Sequence, residues 1–133
     1  RKRKLIKRAA ENTYTTKDNI FVISSNIIYP SYISFWSASY FLGYTEQIVN
    51  TMQMASTKRK KQLKFQDYKI KFIPLKHFFG YKKINTKDGE IFIAEDEKLL
   101  IDSFLIRHFP YISQILLLIL YHYPLCHYYH LSP

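Results

Sequence analysis

The chain has 133 residues, 47% of them hydrophobic and 17% aromatic, and a formal net charge of +10. That length suits one ordinary domain, and that apolar content excludes disorder by composition. The lone Cys126 excludes an intrachain disulfide framework and a thiolate zinc site, and the charge points to nucleic acid, anionic lipid or an acidic protein as company.

Arg1 to Arg8 carries six basic residues around Leu5 and Ile6. It reads either as the end of a basic helix or as a frayed charged terminus. No secretory signal pattern is visible there, and a reducing, cytoplasmic setting fits best. The chain opens on Arg1 rather than Met, so residues preceding it are expected.

Asp18 to Tyr29, "DNIFVISSNIIY", is rich in Ile, Val and Phe and reads as one strand or two short ones. Pro30 breaks it. Ile33, Trp36, Tyr40 and Phe41 then recur at helical spacing, with Ser31 or Ser34 as N-cap and Gly43 as the left-handed stop. A helix is expected over Tyr32 to Leu42, with Trp36 in the core. "NTMQMAST" and "KQLKFQDYKIKFIPL" alternate in polarity as antiparallel strands do, with a turn or bulge at Gln66 and Asp67. Asp88-Gly89 marks a hairpin between "YKKIN" and "EIFIA". Asp96 is expected to N-cap a last helix whose apolar stripe is Leu99, Leu100, Phe104 and Leu105.

His108 to Pro133 contains no Lys, Arg, Asp or Glu. A buried helix at "ISQILLLILY", an aberrant tail and a membrane anchor are three readings of it, the anchor handicapped by its short apolar centre. His127 and His130 stand at i, i+3, but Pro124 separates them from His122 and no carboxylate is near, which argues against a metal site.

Two chemistries compete elsewhere. Asp88, Asp96 and Lys98 have the spacing of a metal-dependent nuclease, two acids for the ion and a lysine for charge. A turn, a helix cap and a solvated lysine explain them as well. No Gly-rich phosphate loop or serine nucleophile elbow is present, so an enzyme is not the expected class. The basic residues speak more clearly. Lys58, Arg59, Lys60, Lys61 and Lys64 place five cations in seven positions, and Lys69, Lys71, Lys76, Lys82 and Lys83 follow. On neighbouring strands they would merge into one phosphate-binding face; alternatively they guard a strand edge.

The order of these pieces resembles the AbiEi-like antitoxin family, predicted transcriptional regulators of viral defence systems. The stretches that carry the resemblance are Tyr29–Ser34, Thr45–Ile48, Thr57–Lys60, Phe78–Tyr81 and Ala94–Lys98, within roughly Leu5 to Leu105. It implies an N-terminal winged helix-turn-helix on operator DNA, an α/β antitoxin domain, and a nucleotidyltransferase-like toxin countered in a type IV system. The recognition helix would precede Arg1, leaving the closing wing at most.

The expected organisation is therefore a wing remnant or linker over 1–17, an α+β antitoxin domain with a mostly antiparallel sheet over 18–107, and the charge-free tail over 108–133. The expected role is an antitoxin-type regulator without cofactor or small-molecule substrate. Its contacts to DNA or an acidic partner would come from Lys58, Arg59, Lys60, Lys61 and Lys64, with Arg1, Lys2, Arg3 and Lys4. A metal-dependent nuclease and a small membrane-anchored basic protein are the alternatives.

Overall fold

A computed structural model describes residues 6–10 and 13–105. The tail and its three readings, the three tail histidines and Arg1 to Lys4 lie outside the described residues. The described part is α+β: three helices with a six-stranded sheet and a two-stranded one. The small sheet is β1 (Lys7–Ala10) paired antiparallel with β2 (Thr13–Thr15). Helix α1 (Ile20–Ile27) leads through a cis Tyr29–Pro30 bond into β3 (Ser31–Ile33), and α2 (Phe35–Phe41) follows at once. Next come β4 (Thr51–Ser56), β5 (Leu63–Phe65), β6 (Tyr68–Pro74), β7 (Tyr81–Thr86), β8 (Gly89–Ala94) and α3 (Asp96–Leu105). Among the described residues no helix is long and apolar enough to cross a membrane.

The large sheet runs β5-β6-β4-β3-β8-β7. It is mixed: β5–β6, β3–β4 and β7–β8 are antiparallel, whereas β4–β6 and β3–β8 are parallel. The first local turn falls as expected, Phe65 pairing with Tyr68 around Gln66-Asp67. The second hairpin forms, but its two-residue turn is Lys87-Asp88, one position before the expected Asp88-Gly89, and Gly89 already pairs with Thr86. The parallel pairs are long-range and leave no turn signal in the sequence. Met52, Met54, Ile70, Phe72, Ile33, Ile91 and Ile93 share one face by register and form the main core with Ile20, Val22 and Ile23.

The stretch expected as strand over Asp18 to Tyr29 is instead α1. Asn19 caps it, its side-chain oxygen accepting from the Phe21 N–H at 3.0 Å. Ser24 returns its hydroxyl to Ile20 O at 2.7 Å. An unbroken apolar run of this length does not distinguish a buried strand from a buried helix by periodicity, and here burial decided against β-propensity. The helix expected from Tyr32 splits: Ser31, Tyr32 and Ile33 enter the sheet, and only Phe35 onward is helical. Phe35 turns the chain with φ of 57°. Its C-terminal end is as expected, a Schellman motif with Gly43 at φ 81°, Gly43 N–H to Tyr40 O at 3.1 Å and Tyr44 N–H to Ser39 O at 2.9 Å.

The central strand β3 has only three residues, so neighbouring β8 and β4 are left with unpaired backbone at opposite ends. Serines from the flanking helices complete both ladders. Ser25 of α1 accepts from Phe92 N–H at 2.9 Å and donates to Phe92 O at 3.3 Å. Ser37 of α2 accepts from Gln53 N–H at 2.8 Å and donates to Thr51 O at 3.3 Å. These hydroxyls stand where strand peptides would, which holds each helix in line with the sheet. Ser37→Ala is therefore expected to cost about 1–3 kcal/mol, the range for orphaning buried backbone groups. Urea unfolding measures it; a loss below about 0.5 kcal/mol would contradict this role.

Candidate functional site

From Thr57 through Lys87 the chain carries eleven Lys or Arg residues and one acid, Asp67. Sheet topology divides ten of them into two groups, with Lys76 in the crossover between β6 and β7. Lys58, Arg59, Lys60 and Lys61 are exposed in the loop that carries the chain from β4 past β6 to the edge strand β5. Lys64 on β5 lies directly opposite Lys69 on β6, and Lys71 follows two positions on. Directly opposed residues share a sheet face, and so do positions i and i+2, so Lys64, Lys69 and Lys71 share one face. Their alternates Phe65, Ile70 and Phe72 are buried in the core on the other. Among the described residues none of these seven cations meets a carboxylate within ion-pair distance.

Lys82 and Lys83 do not extend this face, contrary to expectation. Strand β7 is the opposite edge of the sheet, roughly 24 Å from β5 at the usual strand spacing. Lys83 there faces Glu90, Nζ to Oε1 2.9 Å. The crossover from β6 to β7 separates residues that are near in sequence.

The N-terminal hairpin lies by the basic edge, because β1 packs against β5. Lys7 of β1 pairs with Asp18, and that hydrogen bond, then its charge, hold the Asp18 carboxyl below its ordinary range.

The nuclease arrangement is not formed. Asp88 occupies the β7–β8 turn and Asp96 opens α3, so the whole of β8 stands between them, about 20 Å at strand rise. Among the described residues no group of three or more His, Cys, Asp or Glu could hold a metal. Asp96 is also not the cap. Glu95 O accepts the first helical bond from Leu99 N–H at 2.8 Å, while Asp96 Oδ1 accepts from the Tyr44 hydroxyl at 2.6 Å.

Lys98, expected to be solvated, is buried. Its ammonium lies 2.7 Å from Asp102 Oδ1, donates to His77 O at 2.8 Å, and sits 4.5 Å from the Phe79 ring centroid. Asp102 Oδ2 accepts from the Tyr32 hydroxyl at 2.8 Å and from Ser34 Oγ at 2.7 Å. The expected apolar stripe is thus displaced: Leu99 is buried, but Phe104 and Leu105 are exposed, and Lys98, Asp102 and Ser103 take the inner face. Gly80, at φ 71°, makes room for the lysine stem; a Cβ there would stand 2.9 Å from Lys98 Cβ. Tyr81 stacks on Tyr32 at 4.9 Å between centroids, with Phe78 tilted against both. The ion pair has side-chain exposures of 1% and 0%, so no substrate reaches it. Both hydroxyls bond to the carboxylate rather than to a base. The cluster is a clamp joining α3, β3 and the 77–80 loop. Its one sequence signal was the i, i+4 spacing of Lys98 and Asp102.

Burial, and secondarily the Asp102 carboxylate, push the Tyr32 hydroxyl far above its ordinary value of 10.0. The folded state therefore favours the neutral phenol. This stabilisation is complete below pH 10 and is lost as pH rises beyond it, by up to about 1.4 kcal/mol per pH unit. Tyr32→Phe is expected to flatten the fall of unfolding free energy between roughly pH 10 and 12. Equal slopes in the two proteins would contradict the buried hydroxyl.

No protein-family model matches this sequence, and no curated protein compared with it matches either.

Proposed function

We propose that this chain is a non-enzymatic module of an antitoxin-type transcriptional regulator, of the type IV toxin–antitoxin kind, that holds DNA phosphate on the β5–β6 edge. The observation that carries the binding reading is the direct opposition of Lys64 and Lys69, with Lys71 beside them and Lys58 to Lys61 overhanging the same edge. Like charges directly opposed across strands destabilise a sheet, and an acid at either position would relieve them. Such a cluster is repaid when phosphates enter it, with release of counterions. The lysines also blunt a sheet edge, but edge protection alone does not require opposed lysines.

The antitoxin reading rests on the resemblance. The antiparallel β1–β2 pair beside the basic edge supports it, since a closing wing is a pair of that kind. In such a regulator operator DNA is read by a winged helix-turn-helix, and the present face would contribute sequence-blind phosphate contacts in the cytoplasm. The functional partner would be a nucleotidyltransferase-like toxin.

Fluorescence anisotropy with a random-sequence DNA duplex tests the binding. If about six phosphates are neutralised, log affinity should fall against log salt with a slope near −5. Undetectable affinity at low salt, or a flat dependence, would overturn the proposal.

A further inference from the structure

Among the described residues the opposite edge of the sheet has no further strand on it: β7 pairs only with β8, through six residues without a bulge. Which of its backbone groups face outward follows from α1. Phe92 gives its N–H and C=O to Ser25, and Glu90 O accepts from Asn26 Nδ2 at 2.9 Å. Both residues thus turn their backbone away from β7. In an antiparallel ladder a residue that turns away from its partner strand faces one that does the same. The partners of Phe92 and Glu90 are Lys83 and Asn85, which therefore aim N–H and C=O out of the sheet; Tyr81 continues the series. No described residue bonds these outward groups.

We propose that β7 is a docking edge for an extended acidic segment of a partner protein, added as a seventh strand. Charge selects the occupant. Lys82 and Lys83 are exposed on opposite faces of β7, and Lys87 is exposed at the adjoining turn. Consecutive acidic residues of an added strand would meet one lysine on each face, with Lys83 shared between the newcomer and Glu90. A second copy is disfavoured, because twofold pairing of β7 centred on Lys83 sets lysine against lysine. The inference does not depend on DNA binding, since the two edges lie on opposite sides of the sheet.

The probe is a fluorescent nine-residue peptide in which Glu-Glu pairs are separated by single Val or Thr residues, so that Glu falls on both faces of the added strand; a control of equal charge carries proline in place of Val and Thr. The peptide should bind and the control should not. Asn85→Pro removes an outward N–H without touching the β7–β8 ladder or any charge, and should weaken binding roughly tenfold. Amide exchange of the wild-type protein should slow at Tyr81, Lys83 and Asn85 on peptide addition. Failure of the peptide to bind, equal binding by the control or by a folded Asn85→Pro variant, or a wild-type dimer dispersed by Asn85→Pro would each overturn the proposal. Should that variant unfold, the wild-type exchange pattern decides, and no slowing at those three amides overturns it.

Discussion

Asp102→Ala is expected to be among the most damaging single substitutions, with a loss of about 3–5 kcal/mol. It leaves the Lys98 ammonium buried with a backbone carbonyl and an aromatic ring but no counter-charge. It also strips Tyr32 and Ser34 of the acceptor both hydroxyls use. The melting temperature should fall by roughly 10–20 °C in a domain of this size. Lys98→Met should be damaging for the converse reason, an unpaired buried carboxylate. The double variant Lys98→Met/Asp102→Leu should recover much of the loss, since well-packed apolar replacements of a buried pair are often near neutral. Thermal and urea unfolding of the three variants measure the coupling. Single-variant losses below about 1 kcal/mol would mean that the pair is solvated, as exposed pairs are.

Replacing Lys58, Arg59, Lys60 and Lys61 together by Ala is expected to reduce the magnitude of the salt slope for DNA by about 3–4. Affinity at low salt should fall by roughly two to three orders of magnitude, and by similar factors for unrelated duplex sequences, because phosphate contacts carry no sequence information. Stability should stay within about 0.5 kcal/mol, since all four side chains are exposed in a loop. Lys82→Ala/Lys87→Ala is the geometric control. Those lysines are close to the run in sequence but lie at the other edge of the sheet, so the slope should change by less than about 1. If the two sets weaken binding equally, the protein binds through diffuse net charge and the β5–β6 edge has no special part.

The local elements were largely readable in the residues. Strands β4, β5, β6 and β8 alternate at period two, and two local turns set the hairpins. Gly43 stops α2 because a left-handed residue is needed there. The basic loop was equally plain, and Lys64 to Lys71 kept the alternation that puts lysine outward and Phe65, Ile70 and Phe72 inward. All of this depends on neighbours a few residues apart, and a linear pattern records such relations directly.

Only the tertiary structure decided the rest. Ile20 to Ile27 is apolar enough for either a buried strand or a buried helix, and the uncovered backbone of β8, which Ser25 and Asn26 satisfy, accommodates the helix. Lys98 reads as solvated until Asp102, Tyr32, Ser34 and the carbonyl of His77 surround it. A long-range contact decides whether that charge is tolerated inside. The division of one basic run between two sheet edges is of the same kind. It follows from the crossover after β6, which carries the chain across the sheet to β7. The sequence by itself determined where the positive charge sits along the chain and which side of each strand it takes. The strand order, set by parallel pairings that leave no local mark, decided that Lys58 to Lys71 lie together at one edge and Lys82 to Lys87 at the other.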